Sequence, residues 1–242
     1  MTTSSILSPK CVLWDKRLTR WAALISLAFL FQVFYCARPA AAEDPLIKIL
    51  EDIKKNYASL EGLTVPYERD VVTQSMAMLD ESIKSDLAEG LIHFKPPQFL
   101  RIDQKKPRSE LVVSDGETLW WYIPENKEVY RYPAGKLGQE LKLLSDIFRG
   151  LKDVVDGFVV ELTASETEGR HDLKLTPNPA WPEIDFIRLS VSQKDSTIRV
   201  VKLQNYLGGF TRFTLGDIKV EEGFQKDFFE FKVPEGVRVI QE

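Results

Sequence analysis

The sequence predicts a mainly β protein in which an antiparallel sheet is covered by a few amphipathic helices. Three observations support this prediction. The 242 residues are 44% hydrophobic and 28% charged, which is a composition typical of a globular chain. Short β-type runs separated by turn residues occupy most of the chain. Two segments instead carry apolar residues at helical spacing.

The two helical segments are predicted at residues 45–60 and 139–150, and a further short helical piece at 152–156. At the start of the first segment, Asp44 can accept from free backbone N–H groups and Pro45 suits the first helical position. Apolar residues recur three and four positions apart in and around these segments: Leu46, Ile49, Leu50, Ile53, Tyr57 and Leu60 in the first, and Leu137, Leu141, Leu144, Phe148 and Leu151 over residues 136–155 around the second.

The remaining segments read as strands joined by tight turns, because turn-forming pairs such as Asp115-Gly116 and Gly208-Gly209 separate the β-type runs. A run of hairpins predicts an antiparallel sheet, mostly a meander. Residues 75–80 are predicted as a strand, with an amphipathic helix over 76–87 as the alternative. The predicted strands are 63–73, 75–80, 86–95, 98–104, 109–114, 118–123, 127–132, 157–165, 170–176, 183–193, 197–206, 210–221 and 228–232.

The first 42 residues are predicted to be a cleavable secretory signal. A basic stretch precedes the apolar run Trp21–Tyr35, and Ala40-Ala41-Ala42 then supplies a cleavage site after Ala42. An uncleaved anchor helix and a lipoprotein acylated at Cys36 are the alternatives. The apolar run is shorter than the ~20 residues of a membrane span, and Phe34-Tyr35 stand where lipoprotein processing needs small residues.

Residues 43–242 are predicted to form a single domain located in the bacterial periplasm. They contain no cysteine, because Cys11 and Cys36 both lie in the leader, so the domain is expected to fold without disulfides. The leader carries +4 (five basic residues, one acidic), and the rest carries −8 (27 basic, 35 acidic). Nucleic acid is therefore not expected as a partner, since phosphate binding needs clustered lysine and arginine.

No catalytic constellation stands out in residues 43–242. The only histidines are His93 and His171, and both are interpreted as ordinary exposed or hydrogen-bonded side chains. The sequence lacks a nucleophile elbow, a phosphate-binding glycine loop, and zinc-ligand spacing. We therefore predict a protein that is not an enzyme and that has no catalytic residues, no metal and no cofactor.

Several predicted strands are apolar on both faces, among them Leu119–Tyr122 and Leu111–Val113. A strand with one face in water should alternate between apolar and polar residues. Such strands must be covered on both faces, by helices on one side or by a ligand. From the pattern alone, an ordinary core and a lipid cavity both remain open.

Three segments together resemble the outer-membrane lipoprotein carrier proteins of the LolA family. They are GLIHFKPPQFLRI at 90–102, VVSDGETLWWYIP at 112–124 and FEFKVPEGV at 229–237. The resemblance covers essentially the whole of residues 43–242. It implies an incomplete, half-open antiparallel β-barrel whose hydrophobic cavity is covered by amphipathic lid helices.

The resemblance also implies an activity. Such a carrier takes acylated lipoproteins from an inner-membrane lipoprotein-releasing ABC transporter and shields their acyl chains across the periplasm. It then passes them to an outer-membrane acceptor lipoprotein, and we expect it to do so as a monomer. The alternative from another class is a lipid- or peptide-sensing binding module with the same half-barrel fold that does not shuttle cargo.

Strand alternation and the resemblance together predict the residues of the acyl-chain site. The cavity residues are expected to be Ile92, Phe94, Leu100, Ile102, Trp120, Trp121 and Tyr122. The lid residues are expected to be Ile49, Ile53, Leu141, Leu144 and Phe148. The resemblance implies a lid-latching arginine where this sequence has Pro96, so either another residue such as Arg101 latches the lid or the lid is looser.

Overall fold

Strands dominate the fold, as the sequence predicts. The computed structural model describes residues 44–78, 86–133, 139–151 and 154–241, and the predicted leader lies outside them. The helices are α1 (Pro45–Ala58), α2 (Gln74–Met78), α3 (Gln139–Phe148) and α4 (Val154–Gly157). The strands are β1 (Leu63–Val72), β2 (Asp86–Lys95), β3 (Phe99–Lys106), β4 (Glu110–Ser114), β5 (Thr118–Ile123), β6 (Glu128–Pro133), β7 (Phe158–Thr163), β8 (Arg170–Pro177), β9 (Ile184–Ser192), β10 (Ile198–Asn205), β11 (Phe210–Leu215), β12 (Lys219–Val220) and β13 (Arg238–Gln241).

The strands form one open sheet in the order β13-β6-β5-β4-β3-β2-β1-β11-β10-β9-β8-β7, with β12 paired to β1 beside β11. Every pairing is antiparallel except that of β13 with β6. Two meanders meet where β1 pairs with β11. The sheet does not close on itself, so the mainly β, incomplete-barrel prediction is confirmed.

The helix α1 follows its predicted signals. The carboxylate of Asp44 accepts a hydrogen bond of 2.9 Å from the backbone N–H of Leu46, and Pro45 occupies the first helical turn. Both features stabilise a helix start, because they satisfy or remove N–H groups that have no intrahelical partner. The helix ends at Ala58, two residues before the predicted end.

The helix α3 confirms the predicted mid-chain helix, and Gly150 terminates it with a positive φ of 76°. The backbone N–H of Gly150 donates to the carbonyl of Ile147, and that of Leu151 donates to the carbonyl of Asp146. A Cβ added to Gly150 would lie 3.0 Å from the Cα of Lys54, so α1 and the end of α3 approach closely here. Glycine therefore serves both the cap and the contact.

Two predicted strands are wrong, at 75–80 and 228–232, and a third is interrupted. Residues 74–78 form the short helix α2, and the hydroxyl of Thr73, just before it, accepts a hydrogen bond from the N–H of Met76. The start of the alternative helix, predicted over 76–87, agrees with α2. Residues 79–85 lie outside the described residues. Residues 228–232 form no ladder because their aromatic side chains pack on a face of the sheet. The predicted strand 210–221 divides into β11 and β12.

The two faces of the β2–β6 half of the sheet are covered by different parts of the chain. The lid face carries Ile92, Ile102, Val112 and Trp121, which are neighbours across β2 to β5. The tail face carries His93, Arg101, Val113 and Trp120, each adjacent in sequence to a lid-face residue. Because side chains alternate along a strand, these two sets point to opposite sides.

Among the described residues, no helix is both long and apolar enough to cross a bilayer.

Candidate functional site: a helix-covered apolar sheet face

The apolar residues of α1 and α3 are buried in one cluster with the lid face. In α3, Leu143, Leu144, Ile147 and Phe148 are each at most 1% exposed. The rings of Phe148 and Phe94 lie 5.7 Å apart. Burial of such side chains stabilises by about 1.5–3 kcal/mol each, so the two helices are held to the sheet mainly by apolar contact.

Beneath α3 lies a cavity of about 200 Å³. Its lining residues are Tyr67, Arg69, Ile92, Ile102, Gln104, Glu110, Val112, Trp121, Leu144 and Phe213. Sites for small organic ligands typically measure roughly 300–1,000 Å³. In this arrangement the cavity is therefore smaller than a typical site for a small organic ligand.

The predicted cavity residues Ile92, Phe94, Leu100 and Ile102 lie together on the lid face and belong to its buried cluster. Trp121 lies on the same face and lines the cavity. The predicted lid residues Ile49, Ile53, Leu144 and Phe148 belong to the same cluster. The side chain of Leu141 lies outside the described residues.

The expectation that Trp120 and Tyr122 share the cavity with Trp121 is corrected by the strand register. Both residues lie on the tail face, where the ring of Phe231 contacts them at 5.5 and 5.6 Å. Trp120 and Tyr122 are therefore part of the packing beneath the C-terminal segment. Strand β5 can be apolar on both faces because the lid helices cover one face and the C-terminal segment covers the other.

Arg101 is likewise corrected as a candidate lid latch, since it lies on the tail face. Its guanidinium donates to both carboxylate oxygens of Asp103, at 2.9 and 3.0 Å, and to the carbonyl of Phe228 at 3.2 Å. It also lies 4.8 Å from the centre of the Phe228 ring. Arg101 therefore holds the C-terminal segment. Pro96 lies half-buried in the turn after β2 and offers no hydrogen-bond donor.

Two polar contacts tie α1 to the far half of the sheet. The buried hydroxyl of Tyr57 accepts a hydrogen bond of 3.0 Å from the backbone N–H of Ile198, and the amide of Asn56 donates to the carbonyl of Asp195 at 2.9 Å. Burial raises the pKa of Tyr57 to about 12, so this phenol stays neutral at ordinary pH. Tyr57, which the sequence predicted only as an apolar helix residue, anchors this lid helix.

The lid face changes from apolar to polar along the strands. Phe94 and Leu100 pair at one end, and Gln104 and Glu110 pair at the other. Arg69, on β1, lines the cavity with these two polar residues. None of the three was predicted as a site residue, although polar residues at inward positions of alternating strands are the signal that could have found them.

The motif VVSDGETLWWY forms the hairpin that positions Trp121. The carboxylate of Asp115 accepts from the N–H groups of Glu117 and Thr118, both at 2.8 Å. Gly116 has a positive φ of 91°, which residues with a Cβ rarely adopt. The tight turn sets the pairing of Val112 with Trp121, so the motif sets the register of the cavity wall.

The described residues contain no group of three or more histidine, cysteine and acidic side chains suited to holding a metal ion. The geometry instead offers a covered apolar surface with a small polar end. Such an arrangement defines the class of proteins that bind an apolar ligand under a helical lid.

The comparisons with known proteins agree with this class. The family model described as "Outer membrane lipoprotein carrier protein LolA" matches residues 77–232. A relative from Azotobacter vinelandii named outer-membrane lipoprotein carrier protein is 27% identical over 221 residues, covering 90% of this chain and 99% of the relative. A relative of the same name from Alcanivorax borkumensis is 29% identical over 198 residues, covering 79% and 87%. The chain belongs to the LolA family of outer membrane lipoprotein carrier proteins.

Among solved structures, an uncharacterized conserved protein from Thermus thermophilus aligns with a TM-score of 0.53. The alignment covers 82% of this chain and all of that protein at 10% identity. At this level of identity the likeness concerns the fold alone.

Proposed function

We propose that this protein is a periplasmic carrier that encloses the acyl chains of lipoproteins between the lid face and the helices α1 and α3. The observation that carries the proposal is the buried cluster formed by this face with both helices over an internal cavity. The family membership supports it, because the relatives are named as lipoprotein carriers. No catalytic step is part of the proposal.

The energetics explain why a cover held by apolar contact suits this task. A triacylated anchor has on the order of 45 methylenes, and at about 0.8 kcal/mol each its exposure to water would cost about 35 kcal/mol. Useful affinities saturate near about −20 kcal/mol. The carrier must therefore recover only part of this free energy. Lid helices that pack back onto the lid face compete with the cargo and so favour its release.

The further partners follow from the proposed route. Cargo would be received from an inner-membrane lipoprotein-releasing ABC transporter and passed to an outer-membrane acceptor lipoprotein, with the carrier acting as a monomer. Residues 1–42 would direct export and be removed after Ala42. N-terminal sequencing of the protein from the periplasmic fraction should then begin at Glu43, and recovery of the intact leader in membranes would contradict the processing step.

Photo-crosslinking from neighbouring positions on opposite faces tests the carrier function. Val112 lines the cavity, whereas Val113 is 1% exposed on the tail face. A photoreactive amino acid at 112 should capture lipoproteins, identified by mass spectrometry, while the same amino acid at 113 should not. Equal capture from both positions, or capture from neither, would reject the lid face as the cargo site.

Transfer separates the carrier from the sensing module that the fold also allows. Protein loaded with lipoprotein is mixed with vesicles carrying the outer-membrane acceptor, and lipoprotein is measured in the vesicle fraction over time. A carrier loses its cargo to these vesicles and not to vesicles without the acceptor. A protein that retains its cargo in both cases is a binding module that does not shuttle.

A further inference from the structure

Arg69 is an unusual residue for the wall of an apolar cavity. It lies on β1, between Ala88 of β2 and Phe213 of β11. Its Nε atom is buried and has no hydrogen-bond partner among the described residues. A buried donor without an acceptor costs about 1–3 kcal/mol, and more when it is charged. A bound ligand that supplies an acceptor would remove this cost.

The other polar groups beside Arg69 are already engaged. The two carboxylate oxygens of Glu110 accept from Arg108 Nε at 2.5 Å and from Trp121 Nε1 at 2.9 Å. The side-chain amide of Gln104 donates to the backbone carbonyl of Arg108 at 3.2 Å. Glu110 is thereby fixed in place beside the cavity, and the Nε–H of Arg69 remains available.

The position of Arg69 gives the cavity a direction. Arg69, Gln104 and Glu110 lie at one end of the lid face, and Phe94 and Leu100 lie at the other. A ligand with an acceptor at its head and a long apolar chain matches this gradient. Its head would meet Arg69, and its chain would run over Ile92 and Ile102 toward Phe94.

The charge of Glu110 limits what kind of acceptor fits. A free carboxylate or phosphate brought to Arg69 would also face the Glu110 carboxylate, which lines the same cavity. Like charges repel, and the ion pair with Arg108 offsets this repulsion only in part, because Glu110 lines the cavity and Arg108 does not. A neutral carbonyl oxygen accepts from the guanidinium without this repulsion. Ester and amide carbonyls at the head of an acyl chain are groups of this kind.

We propose that Arg69 donates a hydrogen bond to the ester or amide carbonyl at the head of a bound acyl chain, so that the cavity selects acyl esters and amides. The inference rests on the proposed carrier function, because it concerns the same cavity. It adds a polar contact that orients the chain and discriminates against free fatty acids and against chains without a carbonyl.

A matched pair of lipids tests the contact. Diacylglycerol and dialkylglycerol with chains of equal length differ mainly in the carbonyls, which only the ester-linked lipid has. Protein purified from the periplasmic fraction should bind the ester lipid about tenfold more tightly than the ether lipid, as expected for a hydrogen bond from a charged group. Binding is measured by displacement of a fluorescent alkyl probe, with palmitate as a third competitor that should bind more weakly than the ester.

Two variants assign the preference to Arg69. Arg69→Met keeps an unbranched side chain but removes the donor, so it should bind the ester and ether lipids equally. Arg188→Met is the matched control. Arg188 also has a buried Nε without a hydrogen-bond partner, but it lies on the face opposite to Arg69, paired across to Lys202. This variant should keep the wild-type preference.

The outcomes separate this inference from the carrier function. Equal wild-type affinity for the two lipids, or a preference retained in Arg69→Met, would overturn the contact while leaving the carrier function standing. No binding of any acyl lipid would overturn both. The hydrogen bond can also be measured without a variant, from the infrared band of a ¹³C-labelled ester carbonyl. This band should move to lower frequency when the ester lipid binds to the wild-type protein. An unshifted band would also overturn the inference.

Discussion

The two covers of the β2–β6 half-sheet are built on different principles. The lid helices α1 and α3 lie on one face and contribute mostly aliphatic side chains. The aromatic tail, residues 221–237, lies on the other face and contributes four phenylalanines: Phe224, Phe228, Phe229 and Phe231. A cavity remains under the lid, between the helix and the sheet. The lid therefore covers a cavity as well as packed side chains.

The tail is fixed by contacts with defined geometry. Phe224 and Phe228 stack at 4.9 Å, and His93 meets the Phe228 ring edge-on at 5.0 Å. Arg101 bonds both Asp103 of the sheet and the tail carbonyl of Phe228. Aromatic pairs and charge-assisted hydrogen bonds each depend on direction. We infer that the tail is the permanent cover and the lid the exchangeable one.

Removing a tail anchor should have the largest effect on stability. Phe229 is 7% exposed, and Phe229→Ala should lower the free energy of unfolding by about 3–5 kcal/mol, as is usual for a buried phenylalanine. Chemical denaturation measures the change. Val233→Ala, at a position 40% exposed, is the control and should change stability by about 0.5 kcal/mol or less. If the tail is only a permanent cover, the folded fraction of Phe229→Ala should keep its affinity for acyl lipids. A loss of that affinity would contradict the distinction between a permanent tail and an exchangeable lid.

Weakening the lid anchor should have a smaller effect on stability and should also change binding. Tyr57→Phe leaves the buried N–H of Ile198 without its acceptor, which costs about 1–3 kcal/mol. Because α1 then docks less firmly, acyl lipids should bind more tightly and leave more slowly. Tyr206→Phe makes the same change on a side chain that is 54% exposed and serves as control. Unchanged release kinetics in Tyr57→Phe would show that α1 is not part of the moving cover.

Acid should loosen the tail contact by way of Asp103. Burial alone raises the pKa of this carboxyl, but hydrogen bonds from His93 and Arg101 outweigh burial and lower the pKa from 3.8 to about 2. The stabilisation is complete above pH 4 and is lost as pH falls toward 2, because the unfolded chain takes up this proton first. We expect a loss of about 1–2 kcal/mol, discounted for solvent screening.

Asp103→Asn should remove this part of the acid sensitivity, seen as a flatter dependence of the unfolding free energy on pH between 4 and 2. Asp227→Asn, at an exposed tail position 62% accessible, provides the control. If the slope in Asp103→Asn matches that of the wild type, the carboxylate does not couple the sheet to the tail.

The smallest effect is expected from Pro96→Arg. Pro96 lies two residues after Phe94, whose ring contacts Phe148 at the end of α3, so an arginine here would place a cation near that helix end. A cation at a helix C-terminus contributes about 0.3–1 kcal/mol, which would weaken acyl-lipid binding by a factor of about 2 to 5 through a firmer lid. Pro97→Arg, at the neighbouring exposed position, is the control. If both substitutions change acyl-lipid affinity equally, the change arises from the altered turn and not from a latch on the lid.

Much of the fold was predictable because local signals and the final structure agree. Asp44, Pro45 and Gly150 mark helix ends that need no distant residue to form. Asp115 and Gly116 likewise define a hairpin within a few residues. The incorrect strand prediction at 228–232 shows the limit of local patterns. Alternating aromatic residues are compatible with a strand, and equally with an irregular segment that packs its rings on a sheet face.

The site was predictable only in part. Alternation placed Ile92, Phe94, Leu100 and Ile102 on one face correctly, because the period of a strand is a local property. It could not show which of Trp120, Trp121 and Tyr122 point toward the lid, since all three side chains are largely apolar. It also could not show that Arg101 reaches the tail 127 residues later in the chain.

The sequence by itself determined the elements, their alternation and the need to cover an apolar strand on both sides. Only the tertiary structure decided which segment covers which face, that Tyr57 anchors α1 to β10, and that Arg69 reaches the cavity with a buried donor that has no partner among the described residues. The physical reason is distance along the chain. Capping, turn formation and strand period act over a few residues, whereas the covers and the polar end of the cavity arise from segments that are brought together only when the sheet assembles.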